Sequence, residues 1–485
     1  MTQTDKSFLN LPAAGRSKAD AKAKLLCRRW QNICERYLPV KSEETIWRFS
    51  RIAKEREPSQ GWKFHIPATV LNACDIFEKI APFLISQDLQ FKAPKSLDEL
   101  YKINSGLHYG YWQVGKFMTI YPSSTAQTVE LARQLHELTK EFIPISVPFD
   151  RQFLPNSSVF YRYGAFASIE MTDSNGITLP AVKNPQGELV YDDRFEPVPE
   201  WLSDPFQNTE EIVGNNFENS ETPLTTSYKV FRAITQRGKG GTYQALDFST
   251  NPPRFCVVKE GRRHGEAGWN GQDGYYLVKN EFEVLNNLGG IYKDVPQVFS
   301  SFEIDENFYF AMEYVEGKSL NDLMKTRQRR FSVEKVIELA VEIAGIIDKI
   351  HNAGWIWNDC KPANLIVTRK KNLRPIDFEG SYPANLSDPF DWKTDGFSKS
   401  SDNKIRADNQ KFSDDLYALG AVVYFLLTGK LYESNAPTAI GKLRRNVPLR
   451  LQLIVEKLLS DSALETQLTA LEAGKEFERI LEFRD

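Results

Sequence analysis

The chain has almost no excess charge of either sign. Its 61 Lys and Arg face 64 Asp and Glu, a formal net charge of −3, whereas a general nucleic-acid binder needs a basic surplus. Cysteine is sparse. Cys27, Cys34, Cys74, Cys256 and Cys360 form no C-x-x-C pair, and an odd, scattered set fits a reducing cytosol better than a disulfide framework. The five histidines include no H-x-x-x-H pair, which argues against a dedicated zinc site. No apolar run reaches the roughly 20 residues of a membrane span. The longest, LYALGAVVYFLLTG from Leu416, reads instead as a buried core helix. The polar start MTQTDKSFLN lacks a signal-peptide apolar segment. A cytoplasmic protein with no membrane span and no nucleic-acid partner is expected. There is no internal repeat and no low-complexity tract.

What is present is enough hydrophobic residue, 41%, for sizeable cores, on a chain long enough for two or three domains. Residues 1 to about 56 read as helical and basic, as in KAKLLCRRWQNICERYL, with apolar positions near helical spacing. From Gly61 to Met171 strand-like runs (WKFHIPA, GKFMTIYP, VFYRYGAF) alternate with helical ones. Thr172 to Thr226 is rich in Asp, Asn, Glu and Pro and reads as a linker or long excursion. Strand and helix signals resume at Tyr228.

The strongest chemical signal is WNDCKPANLIV at Trp357–Val367, followed nine residues later by IDFEG at Ile376–Gly380. The pattern D-x-K-x-x-N, an apolar strand and D-F sets an acid beside an attacking hydroxyl and two metal-binding groups at one edge of a cleft. Upstream, YKVFRAITQRGKGGTYQALD reads as strand, glycine turn, strand. There Gly238, Gly240 and Gly241 would let backbone N–H groups approach nucleotide phosphates. Lys259 ends the apolar strand FCVVKEG, and the helical run YYLVKNEFEVLNNL presents Glu281. Taken singly, such glycines are mostly ordinary hairpin turns, and the lysine is also compatible with a strand end in water. Their order, with AMEYVEG as a hinge strand and a late helix from Asp415, resembles the protein-kinase fold over Tyr228 to about Ala463.

That resemblance implies roles. Asp359 would orient and deprotonate the substrate hydroxyl, and Lys361 would stabilise the transferring phosphoryl group. Asn364 and Asp377 would bind Mg²⁺. Lys259 and Glu281 would pair to position ATP or GTP, and Asp415 would tie the catalytic loop. There are departures. Trp357 and Asn358 stand in place of His-Arg, Glu379 replaces the glycine after Asp-Phe, the glycine turn is short, and no A-P-E lies between Asp377 and Asp415. Switching by activation-loop phosphorylation and ordinary protein-substrate docking are therefore not expected.

In the N-terminal half, GWKFHIPA alternates Trp62, Phe64 and Ile66 with Lys63 and His65. A strand puts the last two on one face, away from the apolar side. The same pattern is compatible with a solvated strand face. Lys92 follows 27 residues after His65, then Lys116 in GKFMTIYP and Arg162 between Tyr161 and Tyr163. Cations converging on one pocket would bind phosphate and depress a neighbouring lysine so that it can act as a base.

The set K-x-H, a later lysine, G-K-x-x-T-I-Y-P and Y-R-Y-G resembles the lyase domain of class III and class IV lanthipeptide synthetases, over about Trp47 to Phe166. The kinase half resembles the same family in V-x-K-E-x-R-x-H-x-G and I-D-F-E. The resemblance implies an α+β protein. Residues 1–210 would be a mixed α/β phosphoserine/phosphothreonine lyase-like domain with an N-terminal helical segment and a trailing linker. Residues 211–485 would be a bilobal protein-kinase-like domain. The implied function is a bifunctional dehydratase acting on a precursor peptide with a leader. Ser or Thr is phosphorylated, then phosphate is β-eliminated to dehydroalanine or dehydrobutyrine. Lys92 would take the Cα proton and His65 would protonate the leaving phosphate. Lys63 and Arg162 would hold the phosphate, with Lys116 and Tyr163 as further ligands. The cyclase domain usual in that family has no counterpart in these 485 residues, so cyclisation is left to a separate or truncated part. Two rivals remain: a Ser/Thr or small-molecule kinase with a non-catalytic substrate-binding N-terminal domain, and a pseudokinase scaffold.

Overall fold

The computed structural model describes residues 13–41, 43–207, 221–326, 330–386, 394–398, 412–460 and 468–482. The first domain begins with helix α1 (Ala13–Tyr37), which buries Ala23, Leu26, Trp30, Ile33 and Cys34 at the three- and four-residue spacing of one helical face. Its sheet is built from β1 (Val40–Lys41), β2 (Trp47–Phe49), β3 (Gln60–Ile66), β4 (Gln90–Pro94), β5 (Met118–Tyr121), β6 (Arg151–Gln152) and β7 (Phe160–Ala165). The strand order is β1-β2-β4-β5-β3-β7-β6, antiparallel throughout. Strand β3 is interior, between β5 and β7. Trp62, Phe64 and Ile66 enter the core with Trp30, Phe77 and Phe117, so Lys63 and His65 take the opposite face.

Helices α2 (Ala73–Ser86), α3 (Leu97–Ser105) and α4 (Thr125–Thr139) complete this layer. Ser96 and Ser124 cap the last two by accepting from the N–H groups of Glu99 and Gln127, which satisfies otherwise unpaired first-turn donors.

The stretch expected to be a linker is folded up to residue 207. Strands β8 (Glu170–Thr172), β9 (Thr178–Lys183) and β10 (Leu189–Tyr191) form a small antiparallel sheet. Beyond it Phe206 packs on Tyr161 and Phe153, and Tyr161 donates to Asp204 at 2.9 Å. Its polar composition reflects short strands and turns over a half-exposed surface. Residues 208–220, also within the expected linker, lie outside the described residues.

The second domain opens with a single turn, α5 (Pro223–Thr226), then a five-stranded sheet. It consists of β11 (Tyr228–Arg237), β12 (Gly240–Asp247), β13 (Arg254–Gly261), β14 (Val298–Ile304) and β15 (Asn307–Glu313), in the order β11-β12-β13-β15-β14, with α6 (Gly274–Gly289) against it. Below lie β16 (Gly317–Ser319), α7 (Leu320–Thr326), α8 (Val333–Asn352), β17 (Trp355–Ile356), β18 (Leu365–Thr368), β19 (Leu373–Pro375), β20 (Tyr382–Pro383), α9 (Ser413–Thr428), α10 (Ile440–Leu443), α11 (Leu449–Leu459) and α12 (Ala470–Glu482). Helix α9 carries the long apolar run and is buried along nearly its whole length. No helix among the described residues is long and apolar enough to cross a membrane.

The insertion between β13 and α6 crosses to the first domain. Trp269 is 2% exposed and belongs to the N-terminal hydrophobic core, and the Arg262 guanidinium lies 5.3 Å from the Tyr111 ring centroid. Trp269→Ala is expected to cost about 3–5 kcal/mol, the usual range for emptying a buried indole site. Urea denaturation followed on the N-terminal transition checks this, and a loss below about 1 kcal/mol would mean that the insertion does not anchor the domains.

Candidate active sites in the two domains

Sheet register builds the N-terminal site. Lys63 on β3 pairs directly with Arg162 on β7. Lys92 on β4 and His65 on β3 both pair with Thr119 on the intervening β5, and cross-strand partners share a face. Lys63, His65, Lys92, Lys116 and Arg162 line one cavity of about 420 Å³. Tyr163 does not join them. One residue beyond Arg162, it takes the opposite face, against Trp62 and Trp201, and accepts from the Gln60 amide at 3.0 Å.

Two acids the sequence did not single out hold the cations. Asp150 is fully buried, with His65 Nδ1 at 2.5 Å and Lys116 Nζ at 3.2 Å. Asp192, from the stretch expected to be linker, accepts from Arg162 at 2.8 Å. The same stretch supplies Arg194 to the cavity wall. Lys92 Nζ lies 4.5 Å from the Trp47 ring centroid, a cation–π contact.

Crowding shifts the titrations. Burial pushes Lys92 down to about 8, helped by Lys116 and Arg194. Lys63 falls to about 7 through burial and Arg162, against the pull of Asp192. His65 falls to about 3, since burial and Lys116 outweigh Asp150. Burial would raise Asp150, but Lys116 and His65 hold it well below the carboxylate range. The pocket therefore contains a weakly basic amine and a neutral imidazole. With Asp150 accepting from Nδ1–H, the imidazole's Nε2 is left bare.

In the C-terminal domain Lys259 Nζ lies 2.5 Å from Glu281 and 3.0 Å from Asp377, so the expected ion pair is formed. Glu281 also accepts from the Phe378 N–H at 3.0 Å. Asp359 receives Lys361 at 2.7 Å and the Asn364 amide at 2.8 Å. It also receives the Thr394 hydroxyl at 2.8 Å, a contact not anticipated from the sequence. Burial and Asp377 raise Asp359, with Lys361 opposing. Asp415 accepts from the N–H groups of Trp357 and Asn358 at 2.9 and 2.7 Å, which ties down the chain just before Asp359.

The departures acquire structural roles. Trp357 stacks on Phe378 and donates to the Asp377 carbonyl at 3.1 Å. Asn358 donates to the Gly380 carbonyl at 3.0 Å. Glu379 bridges Lys239 and Lys259. Glu281, Asp377 and Glu379 bring carboxylate oxygens within 4.8 Å of one another, gathered around the Lys259 ammonium.

The glycine turn differs from expectation. β11 and β12 are joined by Gly238 and Lys239 alone. The Gly238 N–H donates to the Ser105 carbonyl of the first domain at 3.2 Å. A Cβ at Gly238 would sit 1.6 Å from the Asn104 carbonyl oxygen. At Gly240, φ is +142° and a Cβ would meet the Glu260 oxygen at 1.8 Å. A Cβ at Gly241 would sit 2.2 Å from the Tyr243 hydroxyl. Close packing, not an open phosphate cradle, requires glycine at these positions.

A bilobal domain with this lysine–glutamate pair and loop is a protein kinase domain, and the family model "Protein kinase domain" matches residues 234–467. The model "RamC, N-terminal domain" matches residues 38–216. The probable SapB synthase of Streptomyces coelicolor is 26% identical over 383 residues, 76% of this chain and 39% of that protein. Serine/threonine-protein kinase F of Synechocystis is 30% identical over 244 residues, 46% of this chain and 49% of the relative. Serine/threonine-protein kinase PknA of Nostoc is 28% identical over 222 residues, 43% of this chain and 38% of the relative. The chain thus spans about two-fifths to one-half of these relatives' lengths. A RamC N-terminal domain followed by a protein kinase domain fits the lyase-plus-kinase architecture of class III and class IV lanthipeptide synthetases.

The depressed Lys92 has a stability consequence. Its folded value of about 8 lies below the ordinary lysine value of 10.5. The folded state therefore binds fewer protons than the unfolded one between these values. The resulting cost is full below about pH 8 and vanishes as pH rises through the unfolded value. Lys92→Met should raise stability at pH 7 by at least about 1 kcal/mol in urea denaturation, the gain fading toward the unfolded pKa. No gain at pH 7 would show that the amine is not desolvated.

Proposed function

We propose that the chain dehydrates Ser and Thr residues of a ribosomally made precursor peptide in two steps. The C-terminal domain transfers a phosphoryl group from ATP, and the N-terminal domain eliminates it as phosphate. The carrying observation is the convergence of Lys63, His65, Lys92, Lys116 and Arg162 on one cavity in a domain joined to a complete set of transfer residues. The similarity to a SapB synthase supports a peptide substrate.

In the first step Asp359 orients the substrate hydroxyl and takes its proton. Lys361, 2.7 Å from Asp359, neutralises charge on the moving phosphoryl group. Asn364 and Asp377 are the residues that would hold Mg²⁺. The Asn364 amide nitrogen is engaged by Asp359, which leaves its oxygen to face a cation. The metal would shield the phosphates.

In the second step the Lys92 amine removes the Cα proton. The C–H electrons become the Cα=Cβ bond, and the Cβ–O bond breaks with its electrons passing to phosphate. Lys63 and Arg162 hold the phosphate, with Lys116 and Arg194 adding positive charge. His65 is neutral in the empty pocket. A dianionic phosphate would raise it, so that Asp150 stabilises an imidazolium able to protonate the leaving oxygen. A lysine at about 8 is deprotonated in useful amount near neutral pH without losing basicity.

Incubation of a cognate precursor with ATP and Mg²⁺ should remove the mass of one water per modified residue. Lys92→Ala should instead accumulate phosphopeptide by mass spectrometry. Dehydration that continues in this variant with no phosphate build-up would sink the lyase assignment. Asp359→Asn should stop both steps on unphosphorylated peptide yet still eliminate phosphate from a synthetic phosphopeptide. With that phosphopeptide, the wild-type kcat/KM, which reports the unliganded pocket, should climb with pH as Lys92 loses its proton at about 8.

A further inference from the structure

We propose that Lys239, in the turn between β11 and β12, is a side-chain ligand for the terminal phosphates of the nucleotide and replaces the backbone cradle of a longer glycine loop. The assignment rests on the reading of the C-terminal domain as an ATP-dependent kinase.

The turn has little backbone left to offer an anion. The Gly238 N–H is committed to the Ser105 carbonyl of the neighbouring domain, and the Lys239 N–H donates to Glu266. The Lys239 carbonyl accepts from the Arg262 N–H at 2.8 Å. A Cβ on Gly274, at the start of α6, would approach that same carbonyl oxygen to 1.7 Å. The backbone of Lys239 is thus fixed from both sides, and its side chain reaches the Glu379 carboxylate.

That carboxylate marks an anion position. One Glu379 oxygen meets Lys239, and the other lies 3.4 Å from Lys259 Nζ. Lys259 in turn lies 3.0 Å from Asp377. Lys239 and Lys259 therefore flank a carboxylate at the edge of the cleft where the metal-binding acids sit. A triphosphate presents several anionic oxygens across such a gap, and lysine binds them as a point charge. Glu379 serves as the resting partner: it pairs a partly exposed ammonium until phosphate oxygens replace the carboxylate. A glycine at 379 could not do this, so the departure at Glu379 and the shortened turn are two parts of one arrangement.

Calorimetric titration of the full chain with Mg–ATP and, separately, with adenosine tests the assignment. Loss of a charge-assisted phosphate contact in Lys239→Ala should weaken Mg–ATP on the order of tenfold to a hundredfold and leave adenosine affinity unchanged. Lys239→Arg should retain most of the Mg–ATP affinity. Unchanged Mg–ATP binding by Lys239→Ala would overturn the proposal, as would equal weakening of both ligands, the mark of a merely structural role. Wild-type protein that binds Mg–ATP in a Lys239-dependent way but phosphorylates no peptide would refute the peptide-kinase reading alone. Failure of the wild type to bind Mg–ATP would refute both.

Discussion

A single buried carboxylate makes the N-terminal pocket possible. Asp150 has no solvent exposure and serves both His65 and Lys116. Without a counter-charge, Lys63, Lys92, Lys116 and Arg162 could not be held in one cavity, because each buried cation raises the cost of the next. Among the described residues Asp150, Asp192 and Glu170 stand against five cations, Arg194 included, and burial, helped by this like-charge crowding, brings Lys63 and Lys92 toward neutral pH. The residual positive field is the property a phosphate dianion would complete. Stability and chemistry oppose each other here in a direct electrostatic sense.

The C-terminal cleft shows the reverse balance. Carboxylates crowd around Lys259, and Glu281 rises to about 7 because burial and its acidic neighbours outweigh the lysine. One domain thus gathers cations around a cavity, and the other gathers carboxylates around a lysine. The two halves have complementary imbalances of charge, which suits the proposed hand-over of one phosphoryl group from the second to the first.

Legibility in the sequence followed the range of the interactions. The D-x-K-x-x-N tract could be read because Asp359, Lys361 and Asn364 interact within five residues. Lys63 and His65 could be read because a strand repeats every two residues. The same rule, applied to β7, sends Tyr161 and Tyr163 to the face opposite Arg162, away from the cavity. Asp150 and Asp192 carried no local signal: each is an isolated acid in an irregular stretch, meaningful only through partners 85 and 30 residues away. The glycine turn misled for a related reason. Gly238 packs against Asn104 and Ser105, a contact between domains that no local pattern encodes.

Trp269 belongs by chain order to the kinase domain and by packing to its neighbour. Separation of the halves at the 208–220 segment would strip an indole of its surroundings and open a hole in the core it fills. Neither half is a self-contained module at that boundary. A chimera that exchanges kinase domains between relatives must therefore exchange the insertion from Arg262 to Asp273 together with the N-terminal surface that receives it. The boundary that governs transplantation is set by this indole and its socket, not by the linker.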